Sequence, residues 1–278
     1  MAIRVGGWII AAAGALFIGM SPASAVVLDL TGGTTEGSIN GALFSRTDKT
    51  GSGSGHIDSF VEIGVGGHKS LIEAYNTTVN DVLDNGHSDV FNHAITLAGV
   101  PLVTIDGVPY REFLLDINQP ADKKTGKGLI SLDELQLFVS TIPNQSVETF
   151  TGGIIDLSGT LLYRLDASED SWIILDSTLG GGSGHDDLFA YVPDSFFPGS
   201  GTQNVYLYSR FGEHNVNNGG FEEWAVREVD DAPCEQTRTC AVHGEPQVPE
   251  PGSLGLFGAG LVGLLSRRRR LRKRAQVS

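Results

Sequence analysis

Short apolar runs, broken about every 8 to 15 residues by turn-forming clusters, dominate the chain between residues 26 and 229. The clusters are rich in Gly, Ser, Thr, Asn and Asp, which favour turns. This pattern is typical of antiparallel β structure. It predicts strands at residues 59–63, 94–97, 102–105, 110–116, 136–141, 159–165, 171–175, 188–192, 204–211 and 221–227.

Several of these runs alternate between apolar and polar positions. In the predicted strand 204–211, for example, Tyr206 and Tyr208 fall on the face opposite to Val205 and Leu207. Successive side chains of a strand point to opposite faces of its sheet, so this alternation indicates a half-buried strand.

Helical periodicity is weak throughout the same region. We expect no more than one or two helical turns, at residues 70–75 and 131–138. The predicted fold is therefore all-β, with a β-sandwich body at residues 26–229 and at most short helices. A body of this size buries roughly 70% of the surface that its unfolded chain exposes, so its core can sustain the fold without disulfides or a metal.

Charge is distributed unevenly along the 278 residues, whose formal net charge is −14. All 33 acidic residues lie between Val26 and Gly252, where 11 basic residues oppose them, giving this part a formal charge of −22. Such a surface repels nucleic acid and anionic lipid, so we expect no nucleic-acid partner. Divalent cations would be attracted.

The N-terminal segment has the three parts of a secretory signal peptide. Arg4 precedes an apolar run at residues 8–19, and the small residues Ala23, Ser24 and Ala25 follow. The run is shorter than the roughly 20 residues that a stable membrane span needs. We therefore expect residues 1–25 to be removed by a signal peptidase after Ala25, and the protein to be exported.

The C-terminal segment, residues 248–274, combines three features in a fixed order. The tripeptide Pro249-Glu250-Pro251 comes first, then an apolar stretch at residues 254–265, then a basic block at residues 267–274. This order resembles the PEP-CTERM sorting domain of Gram-negative bacteria. The alternative is an ordinary tail anchor that follows a proline-rich linker.

The resemblance implies a processing route. An exosortase, a membrane-embedded cysteine peptidase, would recognise the Pro-Glu-Pro region, remove the tail and deliver the body outside the cell. Members of the family are associated with exopolysaccharide and biofilm matrix. The body also resembles the uncharacterised extracellular β domains that often precede such tails, which assigns it no activity.

The length of the tail agrees with transient anchoring. A helix of the twelve residues 254–265 would span only about 18 Å, against about 30 Å for a hydrocarbon core. The arginines would hold this short transmembrane helix on the cytoplasmic side. We therefore expect transient anchoring in the inner membrane, followed by a location at the cell surface or outside the cell.

Residues 230–247 are predicted to form an acidic, proline-containing linker. It contains the two cysteines of the chain, Cys234 and Cys240. In an oxidising compartment the two would pair as a disulfide that closes a small local loop. A metal-binding pair is the alternative, but the sequence has no further cysteine ligand.

A short motif, Ser-Gly-His-x-Asp-x-Phe, occurs at residues 54–60 and again at residues 183–189. An internal duplication would explain the repeat and would give the body two related halves. The alternative is that both copies are similar junctions between a turn and a strand, where Gly permits the turn and Phe enters the core. A third possibility is a paired metal site formed by the histidines and aspartates of the two motifs.

A candidate calcium loop lies between two predicted strands. Asp116 and Asn118 resemble the first ligands of an EF-hand or dockerin loop, Gly128 its sharp turn and Glu134 its closing bidentate carboxylate. Asp122 would supply a further ligand. Carboxylate and amide oxygens on adaptable loops suit calcium, and an exported acidic protein meets calcium outside the cell.

This candidate loop departs from the established pattern. It spans 19 residues instead of 12, and Lys127 occupies the position before Gly128. The alternative is a hairpin, in which strands at residues 110–116 and 129–139 are joined by an exposed lysine-rich loop.

Motifs of catalysis are scarce. The sequence lacks the Gly-x-Ser-x-Gly elbow, the His-Glu-x-x-His helix and a phosphate-cradling loop. The acidic pairs 186–187 and 222–223 are neighbours on predicted strands, so their side chains point to opposite faces. We expect them to be solvated surface charges and not the acid and base of a glycosidase.

Aromatic residues cluster in the last two predicted strands. They have two alternative uses, stacking against sugar rings or packing in the core. The residues are Tyr206, Tyr208, Phe211 and Trp224.

The sequence thus predicts an exported, exosortase-processed and non-catalytic protein of the cell surface or of the polysaccharide matrix, with calcium as an expected cofactor. The competing interpretation is a secreted polysaccharide hydrolase or a carbohydrate-binding module. Two carboxylates about 5 to 10 Å apart across an aromatic-lined groove would favour the hydrolase.

Overall fold

The structure is a computed structural model that describes residues 25–46, 57–64, 69–86, 90–167, 169–180 and 187–227. The chain divides into two compact units, Met1–Glu235 and Gln236–Ser278, and all described residues belong to the first. The descriptions below therefore concern the body of the protein.

The first sheet, called sheet A, has seven strands in the described part of the chain. All strand pairs of sheet A are antiparallel except one, the parallel pair of β1 (Val27–Asp29) and β13 (Trp172–Asp176). β12 (Thr160–Arg164) also pairs with β9, and β6 (Ile95–Thr96) also pairs with β15. The main order is β1 (Val27–Asp29), β13 (Trp172–Asp176), β9 (Leu129–Ser140), β15 (Asn204–Phe211) and β5 (Ile72–Tyr75).

The second sheet, called sheet B, also has seven strands in the described part, and all its pairs are antiparallel. β7 (Leu102–Ile105) pairs with β8 beside the main path. The main order is β2 (Glu36–Ile39), β3 (Ala42–Arg46), β14 (Leu188–Pro193), β8 (Val108–Ile117), β16 (Glu222–Arg227) and β4 (Ile57–Ile63).

Helices are confined to single turns in these residues. They are α1 (Ser177–Gly180) and two 3₁₀ turns, Leu97–Gly99 and Asp194–Phe196. A separate two-stranded sheet pairs β10 (Phe150–Thr151) with β11 (Ile154–Ile155). The prediction of an all-β fold with at most short helices is confirmed.

One apolar core unites side chains of both sheets, as expected of a sandwich. Phe113 and Trp224 enter it from sheet B, and Leu132 and Leu207 enter it from sheet A. The indole Nε1 of Trp224 also donates a hydrogen bond of 2.9 Å to Ser209 Oγ on β15. Each sheet therefore has an inner face, which contributes to this core, and an outer face.

The outer face of sheet A is covered by a second apolar cluster. Tyr75, Tyr206 and Tyr208 pack there against the connecting segments, which contribute Val82 and Leu157. The tyrosine hydroxyls are satisfied locally, since Tyr206 donates to the Ile142 carbonyl at 2.7 Å and Tyr75 accepts from the Val147 N–H at 2.6 Å. The predicted alternation of residues 204–209 is confirmed, but the prediction of a half-buried strand is wrong, because this cluster buries the second face as well.

The two predicted helical segments are strands, so that prediction is wrong. Residues 72–75 form β5, and residues 131–138 lie inside β9. The error in β9 has a specific cause. Leu132 pairs with Phe211 and Glu134 pairs with Arg210, so Asp133 is an extra residue in a β-bulge. The bulge allows Leu132 and Leu135 to face the same core, a spacing of three that imitates a helix.

The predicted hairpin of residues 110–116 and 129–139 is also wrong. Its two strands are β8 and β9, which belong to opposite sheets. The lysine-containing segment between them is therefore a connection from one sheet to the other and not a hairpin turn.

Candidate functional site

The structure distributes the four predicted calcium ligands over both sheets and a loop. Asp116 lies on β8 of sheet B, Asn118 follows that strand, and Glu134 lies on β9 of sheet A. Asp122 is exposed, and its carboxylate accepts hydrogen bonds of 2.9 Å from the N–H groups of Thr125 and Lys124. These hydrogen bonds lower the pKa of Asp122.

The carboxylate of Glu134 has structural partners. It is 2% exposed and accepts a charge-assisted hydrogen bond of 2.9 Å from Arg164 Nε on β12. It also accepts hydrogen bonds from Leu135 N at 3.1 Å and from Gln136 Nε2 at 3.2 Å. Within the described ranges, no group of three or more His, Cys, Asp or Glu is arranged to hold a metal ion.

Acidic residues instead form a row across four strands on the outer face of sheet B, which we call the carboxylate row. Glu223 on β16 pairs directly with Glu62 on β4 and with Asp116 on β8. Asp187 continues the row beside β14, because its N–H donates to the Leu115 carbonyl at 2.8 Å. Direct cross-strand neighbours have Cβ atoms about 4.5–5.5 Å apart, so these like charges repel each other.

Electrostatics in this row favour protonation. Burial, reinforced by the charges of Glu62 and Asp116, raises the pKa of Glu223 to about 7, against a hydrogen bond from Ser59 that lowers it. Burial also raises the pKa of Glu62. The raised pKa of Glu223 favours its protonated form at neutral pH more than in an ordinary glutamate.

Glu222 points to the opposite face, as predicted for adjacent acidic residues on a strand. It is not a solvated surface charge, however, because it is completely buried. Its carboxyl accepts hydrogen bonds from Asn118 N at 2.9 Å and from Gln119 Nε2. Burial raises the pKa of Glu222 to about 8, with a smaller contribution from Asp116.

The four aromatic residues that the sequence singled out are used for packing. Tyr206, Tyr208, Phe211 and Trp224 are each no more than 1% exposed. Stacking of these rings against sugars is therefore excluded, and core packing is confirmed.

A different aromatic group lies half-buried on the outer face of sheet B. Phe189 and Tyr191 stack at 5.5 Å, and Tyr110 meets Tyr191 edge to face at 6.4 Å. The guanidinium of Arg227 lies 6.0 Å from the Phe189 ring and forms an ion pair of 2.7 Å with Glu112. The alternation of residues 188–192 could have revealed the outward direction of Phe189 and Tyr191.

The Ser-Gly-His motifs both precede strands of sheet B, but at different ends. Asp58 lies on β4 opposite Val226, near the end of β16. Asp187 lies beside Leu115 of β8, which pairs with Trp224 near the start of β16. Phe60 enters the core and Phe189 faces outward, so the two copies differ in their packing. The aspartates of the two motifs do not meet, and His56 and His185 lie outside the described residues.

A histidine that the sequence did not single out occupies a precise position beside the bulge of β9. His214 Nδ1 lies 2.8 Å from Oδ1 of Asp133, the bulge residue. The His214 ring stacks on Trp172, with centroids 3.7 Å apart and planes 5° apart. The loop that carries His214 begins at Gly212, which has φ +97°, and a Cβ there would lie 2.1 Å from the Ser70 carbonyl oxygen.

The described body belongs to the class of two-sheet β-sandwiches. Acidic residues lie on several of its strands. In the part of the chain that the structure describes, no helix is long and apolar enough to cross a membrane. The signal peptide, Cys234 and Cys240, Pro249-Glu250-Pro251 and the apolar tail lie outside the described residues.

Comparison with known families identifies the C-terminal segment. The PEP-CTERM protein-sorting motif matches residues 247–270, which confirms the resemblance seen in the sequence. The motif implies export, processing by an exosortase and targeting to the cell surface. Comparisons with curated proteins and with solved structures yield no match.

Proposed function

We propose that this protein is a non-catalytic component of the cell surface or of the extracellular polysaccharide matrix, delivered there by exosortase processing. The observation that carries the proposal is the sorting motif at residues 247–270, which follows the β-sandwich body. The sandwich supports this role, because its shared core and covered outer face of sheet A give a stable body suited to an exposed environment.

The order of events in this proposal is removal of residues 1–25, transient retention by the C-terminal segment in the inner membrane, and release or attachment of the body after the tail is cut. The acidic surface of the body repels anionic headgroups, so retention before the cut depends on the tail. Biofilm polysaccharide is the proposed environment of the mature protein.

Fractionation of cells, combined with intact-mass determination, tests the proposal. Cells with an exosortase should contain the mature body at the surface or in the medium, without residues 1–25 and without the tail. Cells lacking the exosortase should keep the tail on the protein in the inner-membrane fraction. Full-length protein in the cytoplasm with both termini intact would contradict the proposal.

A matched pair of variants assigns the effect to the motif. Replacing Pro249, Glu250 and Pro251 together with alanine should block removal of the tail. Replacing Glu245 and Pro246, an acidic and proline pair just outside the matched residues, with alanine should leave it unchanged. Equal processing of both variants would show that the tripeptide is not the recognition element.

A polysaccharide hydrolase is the second candidate, and one observation favours it. Glu223, with its pKa of about 7, stands beside Asp116 in the carboxylate row. The spacing of direct cross-strand neighbours is compatible with the two carboxyl groups of a retaining glycosidase. The limited access to the pair favours the non-catalytic proposal, because Asp116 is only 3% exposed.

An assay of new reducing ends separates the two candidates. The mature protein, incubated with the producing cell's exopolysaccharide, should release no reducing ends above a heat-treated sample. Release that the Glu223→Gln variant abolishes, while the exposed control Glu169→Gln retains it, would establish the hydrolase.

Calcium binding by Asp116, Asn118, Asp122 and Glu134 stays a prediction. Because Glu134 is bound to Arg164, calcium would have to break that ion pair. Calorimetric titration of the mature protein with calcium is the test, and the absence of both heat and a shift in melting temperature would remove calcium from the proposal.

A further inference from the structure

His214 is held in one tautomer by its neighbours. Asp133 is completely buried, and its Oδ2 accepts hydrogen bonds from Ser131 Oγ at 2.9 Å and from Glu213 N at 2.7 Å. When ionised, this carboxylate can only accept hydrogen bonds, so Nδ1 of His214 is then the donor of the pair. The lone pair of the neutral imidazole is then on Nε2.

The orientation of the His214 ring is fixed as well. Trp172 covers one face of the imidazole in a parallel stack at 3.7 Å. Since β13 supplies Trp172 and the bulge of β9 supplies Asp133, two neighbouring strands of sheet A hold one ring. The side chain of His214 nevertheless remains 27% exposed to solvent.

A second carboxylate lies near Nε2 of His214. Asp170 Oδ2 lies 3.8 Å from His214 Nε2, and the Asp170 side chain is 65% exposed and free to adjust. Zinc bonds of about 2.0–2.2 Å to nitrogen and oxygen place two ligands of a tetrahedral ion about 3.4 Å apart. A shift of a few tenths of an ångström in Asp170 therefore produces a chelating pair.

We propose that His214 Nε2 and the Asp170 carboxylate bind a divalent transition-metal ion, with Asp133 as the partner that orients the histidine. In many metal sites a carboxylate accepts a hydrogen bond from the histidine nitrogen that does not bind the metal, and so fixes the tautomer of the ligand. Asp133 is placed to do this for His214. Imidazole selects Zn²⁺, Cu²⁺ or Ni²⁺ over Ca²⁺. The site faces solvent, so water molecules complete the coordination of the metal ion. The proposal is independent of the proposed matrix role and of the predicted calcium loop.

Copper titration of the untagged mature protein, followed by tryptophan fluorescence, tests this site. Cu²⁺ is the probe because it binds nitrogen and oxygen ligands most tightly among the divalent first-row ions. Bound at His214, it should quench Trp172 saturably, whereas Trp224 in the core should continue to emit. His214→Gln should raise the dissociation constant roughly tenfold or more. Asp170→Asn should raise it by a smaller factor.

The chain provides a matched control. His93 Nε2 also lies 3.8 Å from an aspartate oxygen, that of Asp58, and its side chain is 26% exposed. Trp172 stacks on His214 and not on His93, so His93→Gln should leave both the quenching and the dissociation constant unchanged.

Nitrogen-detected NMR with Zn²⁺ gives a second readout that does not depend on tryptophan. The Nε2 signal of His214 should shift on addition of Zn²⁺ while its Nδ1 stays protonated. If His214→Gln fails to fold, the proposal is tested by the copper dissociation constant of Asp170→Asn and by the shift of the Nε2 signal in the wild-type protein. Equal copper affinity in wild type and either site variant, or Zn²⁺ shifts confined to other histidines, would overturn the proposal.

Discussion

Asp116 and Glu223 are direct cross-strand partners on the outer face of sheet B, so two carboxylates from distant parts of the chain stand side by side. Glu62 flanks Glu223 on the other side. Like charges directly opposite each other destabilise a sheet unless one of them is protonated. The stability of the body should therefore depend on the ionisation of Glu223.

Glu223→Gln should make the stability of the protein less sensitive to a rise in pH between about 4.5 and 7. The pKa of Glu223 is raised in the folded state from 4.5 to about 7, so the folded protein binds the proton more tightly than the unfolded chain, and stability falls as pH rises between these values. Discounted for solvent screening, removing the charge should add about 1 kcal/mol, or about 2–4 °C in Tm, at pH 8.

Thermal unfolding of wild type and Glu223→Gln at several pH values between 4 and 9 measures this effect. The exposed variant Glu169→Gln is the control and should follow wild type. Parallel curves for Glu223→Gln and wild type across the whole range would contradict the assignment.

Glu222 predicts a second, more alkaline transition. Its carboxyl is completely buried, and burial raises its pKa from 4.5 to about 8. Stability should therefore continue to fall as pH rises to about 8, and Glu222→Gln should remove this decline. Glu222→Ala should instead destabilise the protein at pH 6 by about 2–4 kcal/mol, because it leaves a cavity and unpaired donors at Asn118 N and Gln119.

Chemical denaturation at pH 6 and pH 9 separates these two variants of Glu222. Equal losses of stability in Glu222→Gln and Glu222→Ala at pH 9 would show that Glu222 is not a buried carboxyl with a raised pKa.

The hydrogen bond between Trp224 and Ser209 should couple the two sheets. Trp224→Phe removes the indole N–H and some core volume, and should cost about 2–3 kcal/mol. Ser209→Ala leaves the buried N–H without its acceptor and should cost about 1–3 kcal/mol. The double variant should cost less than the sum by about 1 kcal/mol, because both changes remove the same bond. Urea denaturation of the four proteins gives the coupling, and strict additivity would rule the bond out as a contributor.

The ion pair of Arg164 and Glu134 should be essential for pairing β12 with β9. Arg164→Met leaves the buried Glu134 carboxylate without its cation, and should cost about 3 kcal/mol. Adding Glu134→Gln should restore most of that loss, because the buried charge is then absent. Glu213→Gln, which breaks the more exposed pair with Arg210, should cost at most about 1 kcal/mol.

Denaturation midpoints of these variants, measured with and without calcium, provide the comparison. If the Glu134 carboxylate pairs with Arg164 and does not bind calcium, then calcium should shift none of these midpoints. A calcium-dependent stabilisation that Glu134→Gln abolishes would instead restore the predicted calcium loop.

The local pattern of residues was sufficient to predict the strands and the sorting signal. Strand periodicity predicted ten segments that each overlap an observed strand, with β7 and β15 at their observed bounds, because the burial of one or both faces leaves a period of two in the sequence. The sorting motif was equally readable, because a peptidase and a membrane recognise a short linear segment whose order of residues is itself the signal.

Only the tertiary structure decided which strands share a sheet and which side chains meet. The bulge at Asp133 gave residues 131–138 a spacing that imitates a helix, and the same bulge directs that carboxylate to His214. Cross-strand partners such as Asp116 and Glu223, and the pair of Asp133 with His214, come from segments that are distant in sequence. Their proximity follows from the order in which strands that are distant in sequence pair within each sheet. The alternation within one strand fixes only which face each side chain takes, so it does not specify which strand lies beside it.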